Sequence, residues 1–128
     1  MKGYVLKSKI LIVDDSQQII DALTANLKSD LYEVISAASG RSGLQILNEN
    51  PDIEIVITDF NMPDINGLKM IEEMRKIKVH SATRTLIMST HSDSFIKTKA
   101  KELGVIGWLM KPFDYDALNK ALEQFMIN

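Results

Sequence analysis

The 128-residue sequence predicts an α/β fold, a doubly wound (βα)5 parallel sheet, on three observations. Short apolar runs alternate five times with segments of helical periodicity. The best of these runs is almost continuously apolar and β-branched, as strands buried on both faces are. Cap and turn residues separate the runs from the helical segments. Five such units imply a parallel sheet covered by helices on both faces, with right-handed crossovers.

The first strand is residues 10–13, Ile-Leu-Ile-Val. Asp14, Asp15 and Ser16 then offer helix caps, and Ile19, Ile20, Leu23 and Leu27 recur at helical spacing. Residues 34–38 form a weaker second strand. Ser39 can cap a helix carrying Leu44 and Leu47 that ends near Asn50-Pro51. Residues 53–58 are the strongest strand, with four β-branched apolar residues in six. Asn61-Met62-Pro63-Asp64 is loop chemistry, followed by a helix with Leu68, Ile71 and Met74 on one face. Residues 86–88 are a fourth strand. Ser92 or Asp93 can cap the next helix, with Ile96, Ala100 and Leu103, and Gly104 is placed to end it. Residues 105–110 are a fifth strand, and Asp114 starts a last helix whose stripe is Leu118, Ala121, Leu122 and Phe125.

The composition removes several function classes. Net charge is −2, from 15 basic and 17 acidic residues, so no electrostatic footprint for direct nucleic-acid binding exists. Without cysteine, disulfide scaffolds, thiol chemistry and cysteine-based zinc sites are out. No apolar run approaches membrane-spanning length, and the apolar stretch within residues 1–7 is too short for a signal peptide. A soluble, cytoplasmic, single-domain protein spanning 1–128, with its core at about 9–127, is the expectation.

In an open parallel sheet, sites lie beyond the carboxyl ends of the strands. The first strand ends in Asp14-Asp15, the third in Asp59 and the fourth in Ser89-Thr90, while the fifth leads to Lys111-Pro112. Carboxylates gathered there repel one another and need a proton or a cation. Oxygen donors without His or Cys suit Mg²⁺, which binds one or two carboxylates and a phosphate while keeping several waters. Lys111 supplies a second positive charge and Ser89 a hydroxyl donor for phosphoryl oxygens. Asp59 is the natural nucleophile, since an aspartate can form an aspartyl phosphate. Catalysis would then be positioning and charge neutralisation.

Five segments in order carry a resemblance to a known family: Ile10-Leu11-Ile12-Val13-Asp14-Asp15-Ser16, Ile57-Thr58-Asp59-Phe60-Asn61-Met62-Pro63, Ile65-Asn66-Gly67-Leu68, Ile87-Met88-Ser89-Thr90 and Met110-Lys111-Pro112-Phe113. Asp15 and Asp59 are 44 positions apart and Ser89 and Lys111 are 22 apart, as in that family. The sequence resembles the CheY-like receiver domain of two-component response regulators, from about Ile10 to about Met126. The resemblance implies the flavodoxin-like strand order 2-1-3-4-5. It implies that Asp14 and Asp15 hold Mg²⁺, one directly and one through water, with the Asn61 backbone carbonyl as a further ligand. It also implies that Asp59 takes a phosphoryl group from a sensor histidine kinase or a histidine phosphotransfer protein. Ser89 would swing toward the phosphate, Lys111 would pair with it, and the Lys111-Pro112 bond would be cis. Asn61 and His91 sit where the family tunes hydrolysis of the phosphoryl-aspartate.

Two positions depart from the family's common pattern. Trp108 stands where Tyr or Phe is usual at the switch position, and an indole rotates inward less easily than a single ring. Ser89 replaces the commoner Thr but keeps the hydroxyl. Output in the family commonly uses the face made by the fourth helix, fifth strand and fifth helix. Trp108 near that face, and Lys97 and Lys101 four apart on one helical face, are candidate partner contacts.

Each of these residues also has a plainer reading. Asp14 and Asp15 could simply cap a helix, Lys97 and Lys101 could be solvated, and Thr90 could bond locally. His80 lies in a polar stretch and is expected in solvent, and His91 is read as a rim residue. Met62, Met88 and Met110 are expected in the core and at the pocket edge. The leading reading is a stand-alone regulator acting on an output protein, as a monomer or a phosphorylation-dependent dimer. The alternative is an excised receiver of a longer DNA-binding or enzymatic regulator or a hybrid histidine kinase, with an output domain. A phosphatase of the haloacid-dehalogenase type is disfavoured because Asp59-Phe60-Asn61 lacks the second Asp. A flavodoxin is disfavoured because two anionic residues open the first loop.

Overall fold

The computed structural model describes residues 7–112 and 114–127, with side chains to residue 124. Phe113 of the last motif segment, the helix-stripe side chain of Phe125 and the extreme termini lie outside the described residues. The strands are β1 (Ser8–Val13), β2 (Tyr32–Ala37), β3 (Ile53–Asp59), β4 (Arg84–Ser89) and β5 (Gly107–Met110). The helices are α1 (Gln17–Asn26), α2 (Gly40–Glu49), α3 (Gly67–Met74), α4 (Ser94–Glu102) and α5 (Tyr115–Ile127). The five strands form one parallel sheet in the order β2-β1-β3-β4-β5.

Residues that alternate along each central strand bury against opposite layers. Ile10, Ile12, Ile55, Ile57, Leu86 and Met88 pack with Leu23 of α1 and with Leu118 and Leu122 of α5. Leu11, Val13, Val56 and Ile87 pack on the other face with Leu47 of α2, Met70, Ile71 and Met74 of α3, and Ala100 of α4. Burial on both faces explains the unbroken apolar runs in the sequence.

Local signals place the helices. Ser16 caps α1 by accepting from the Ile19 amide, so capping does not account for Asp14 or Asp15. Ser39 and Ser42 form a reciprocal capping box at α2, and Asn66 caps α3. Of the two candidates at α4, Asp93 is the cap. Gly104, at φ 82°, turns the chain out of that helix in the left-handed region. The Asp114 carboxylate accepts from the Asp116 and Ala117 amides at the start of α5.

Three expectations need correction. The fifth strand begins at Gly107 rather than Val105, because the Val105 amide is used by the Ala100 carbonyl in the turn that ends α4. His80 is fully buried, not solvated: Nε2 contacts the Leu47 carbonyl at 2.9 Å and Nδ1 the Thr83 hydroxyl at 2.8 Å. A polar flanking sequence hid this, because both partners reach His80 only through the fold. Met110 is exposed, because β5 is an edge strand, whereas Met88 is in the core and Met62 packs against it.

The end of the sheet opposite the strand carboxyl termini is tied by Arg75. Its guanidinium donates to the carbonyls of Leu103, His80 and Thr83 and to the Thr85 hydroxyl. The α3–β4 connection, the start of β4 and the turn after α4 are thereby joined, and the strand ends that carry the acidic residues are left free for chemistry.

Candidate functional site

The acidic residues converge because parallel strands end at one edge. β1 and β3 are adjacent and in register, pairing Val13 with Thr58, so the residues that follow them emerge side by side. Asp14, Asp15 and Asp59 each offer a carboxylate oxygen, and these oxygens all lie within 4.8 Å of one another. Asp14 and Asp59 are buried and Asp15 is exposed. Lys111, reached from β5, places Nζ 3.0 Å from Asp14 Oδ2 and 3.4 Å from Asp59 Oδ1. Its backbone amide bonds the Ser89 carbonyl, which fixes the lysine to the end of β4.

Three carboxylates beside one ammonium leave two negative charges uncompensated when all are ionised. Burial pushes the Asp59 carboxyl above the usual carboxylate range, and the nearby Asp14 charge adds to this. Lys111 and the Asn61 amide oppose the shift without cancelling it. The donors are all oxygen, one carboxylate opens to water, and the charge deficit is that of a divalent ion. This set fits Mg²⁺ and does not resemble a zinc site.

A second group of residues surrounds the Ser89 hydroxyl. Ser89 is buried, and its Oγ accepts from the His91 amide at 3.0 Å. The His91 carbonyl in turn accepts from Trp108 Nε1 at 3.3 Å. Trp108 is half-buried. Its ring lies 6.2 Å from that of Phe60, tilted by 39°, with Lys97 Nζ 5.8 Å from its centroid. The indole thus holds the loop between β4 and α4, a contact that a phenyl ring could not make. A groove of about 370 Å³ opens here, with Asn61, Ser89 and His91 among its walls. Thr90 and His91 are exposed and bond each other, as a rim pair would. Lys97 and Lys101 are exposed as well. The Lys111-Pro112 peptide is cis.

Sequence reading singled out these residues but gave no role to two that shape the β3–α3 loop, Gly67 of the third motif segment and Asp64. A Cβ on Gly67 would lie 2.3 Å from the Asp59 carbonyl oxygen, so only glycine lets α3 start against the strand end. Asp64, read only as loop chemistry, accepts from the Gly40 and Arg41 amides of α2. Its partners lie 24 and 23 residues away, beyond the reach of any local motif.

Residues 10–123 match the response regulator receiver domain family. A chemotaxis protein CheY homologue of Campylobacter jejuni is 31% identical over 121 residues, which cover 92% of each chain. The transcriptional regulatory protein GlrR of Escherichia coli is 32% identical over 114 residues. That match takes 89% of this chain, which spans about a quarter of GlrR's length. The solved structure of Vibrio cholerae chemotaxis protein CheY4 superposes with a TM-score of 0.86 at 32% identity, covering 93% of this chain and 98% of that one. Among the described residues no helix is long and apolar enough to cross a membrane.

Proposed function

Because the chain belongs to the response regulator receiver family of two-component signalling, we propose that it is a switch whose input is phosphorylation of Asp59. The observation that carries this reading is the meeting of three carboxylates with Lys111 at one edge of the sheet. Asp14, Asp15, Asp59 and the Asn61 backbone carbonyl would hold Mg²⁺, which neutralises charge on the transferring phosphoryl group.

The chain's own residues do the rest. A carboxylate oxygen of Asp59 attacks phosphorus in a phosphohistidine of a sensor kinase or phosphotransfer protein. The P–O bond forms as the P–N bond breaks, and the departing imidazole nitrogen keeps the electron pair. Lys111 Nζ, already beside Asp59, pairs with a phosphoryl oxygen. Ser89 exchanges the His91 amide for another phosphoryl oxygen, to which its hydroxyl donates. Water later attacks phosphorus, the Asp59 O–P bond breaks, and inorganic phosphate leaves as the carboxylate is restored. Asn61 and His91, exposed at the rim, are placed to tune that step. The protein is therefore a phosphoacceptor that catalyses only its own phosphorylation and dephosphorylation.

Movement of Ser89 frees the His91 amide, and His91 is held from its other side by Trp108. This link supports an output through the α4-β5-α5 face, where Lys97 and Lys101 are exposed, by population shift between two arrangements. The partners would be a cytoplasmic kinase or phosphotransfer protein and an output protein or domain, with the receiver a monomer or a phosphorylation-dependent dimer. The Campylobacter homologue, matched across nearly its whole length, favours a separate output protein; GlrR, matched over a quarter, favours an attached domain. Codons beyond Asn128 would decide for the second.

The test is mass detection of phosphorylation by acetyl phosphate or phosphoramidate. One phosphoryl group should be added with Mg²⁺ and none with chelator. Asp59→Asn should block the addition; labelling of that variant at the wild-type level would overturn the site.

A further inference from the structure

The β3–α3 loop, residues 60–66, carries Asn61 past the acidic cluster, with Phe60, Met62 and Ile65 partly buried against the core. Asn61, Pro63, Asp64 and Asn66 are all exposed. The loop is nonetheless pinned at both ends of the strand junction: the Phe60 amide bonds the Met88 carbonyl and the Gly67 amide bonds the Phe60 carbonyl. Between those points the tie runs to α2. Asp64 Oδ1 accepts from the Gly40 amide at 3.2 Å and Oδ2 from the Arg41 amide at 2.9 Å. Beside it, Ile65 packs so tightly on Gly40 that a Cβ there would lie 2.5 Å from Ile65 Cγ1.

The clamp meets the Gly40 and Arg41 amides, which have no acceptor within the helix. Ser39 already caps α2, accepting from the Ser42 amide in a capping box, and its carbonyl takes the Gly43 amide. A carboxylate at the first turn adds favourable interaction with the helix dipole, but it comes from a loop that leads straight back to Asp59. The Asn61 amide reaches the Asp59 carboxylate, so the same short loop touches the acidic cluster at one point and α2 at another.

We propose that Asp64 is a positioning residue for the metal: by tying the loop to α2 it holds the Asn61 backbone carbonyl ready for Mg²⁺. The proposal rests on the Mg²⁺ reading above. With the tie cut, the loop samples other conformations, and apparent affinity falls in proportion to the fraction still competent.

The test is calorimetric Mg²⁺ titration of the unphosphorylated protein, with amide hydrogen exchange in chelator. Asp64→Ala should weaken Mg²⁺ binding about fivefold, as when the competent fraction falls to about a fifth, and should speed exchange at Gly40 and Arg41. Gly40→Ala, which leaves charge unchanged and displaces Ile65, should weaken Mg²⁺ binding to a similar extent. Faster exchange in Asp64→Ala with unchanged Mg²⁺ affinity would make Asp64 a helix cap only and overturn the proposal. Weakening by Asp64→Ala alone would assign the effect to lost charge and overturn it equally. Wild-type protein that takes phosphate with Mg²⁺, while both variants bind Mg²⁺ normally, sinks this inference alone. Wild-type protein that binds no Mg²⁺ sinks the parent reading with it.

Discussion

Replacing Asp59 by Asn should stabilise the metal-free protein at neutral pH. The carboxylate is nearly buried and faces Asp14 within 4.8 Å, a repulsion of about 3.5 kcal/mol at an effective dielectric near 20. Lys111 at 3.4 Å returns about 5 kcal/mol on the same scale, but Asp14, at 3.0 Å, shares that lysine. Asp15 adds a repulsion largely screened by water. The Coulomb contributions to Asp59 therefore nearly cancel, and the cost of burying its charge remains, in keeping with its raised pKa. The amide keeps the shape and removes that cost, a gain of about 1–2 kcal/mol. For a domain of this size that is about 3–8 °C in Tm.

The pH dependence gives the sign. A carboxyl with a raised native pKa binds its proton more tightly in the native state than in the unfolded one. Its penalty is absent below the ordinary aspartate range and grows as pH rises through the native value. The gain from Asn should thus be near zero at about pH 3.5 and larger at pH 7. Calorimetric melts in chelator at both pH values measure it. Equal stability of the two proteins at pH 7, or a gain that does not change with pH, would refute the electrostatic account.

Lys111→Ala removes the cation shared by Asp14 and Asp59; metal-free stability should fall by about 1–3 kcal/mol in denaturant melts. Mg²⁺ should bind this variant several-fold tighter by calorimetry, because no resident positive charge opposes it. Gly67→Ala should cost about 2–3 kcal/mol, since the new methyl meets the backbone of Asp59, whereas Gly107→Ala meets only the movable end of Leu86 and should cost about 1 kcal/mol or less. Urea titrations of the pair check that contrast. Arg75→Lys should cost about 2–3 kcal/mol by the same method, because an ammonium cannot reach four acceptors in a fork. Mg²⁺ affinity should be unchanged in that variant, since the network lies at the far end of the sheet.

The fold was legible because its central strands are buried on both faces. Continuous runs such as residues 10–13 have few other uses, and Ser16, Ser39 and Gly104 mark helix boundaries through local chemistry alone. The site was legible for a related reason. Parallel strands bring their carboxyl ends together, so Asp14, Asp15, Asp59, Ser89 and Lys111 could be placed at one edge without coordinates. Their types and order then matched a family. Turn and edge effects blurred the rest: β5 starts two residues late because the turn that ends α4 takes the Val105 amide, and Met110 faces solvent because an edge strand lacks the second neighbour that would bury it.

By itself, the sequence determined the layer architecture, the acidic cluster with its lysine, and the residue types that suit Mg²⁺ and phosphate. Those properties follow from periodicity, strand direction and side-chain chemistry, all of them local or fixed by chain order. Only the tertiary structure decided that His80 is buried on the Leu47 carbonyl, that Arg75 ties the turn after α4 to the α3–β4 connection, that Trp108 holds His91, and that Asp64 clamps α2. Each of these is a directional bond between segments distant in sequence. A polar residue in a polar stretch carries no mark of such a partner until packing brings the acceptor or donor within about 3 Å.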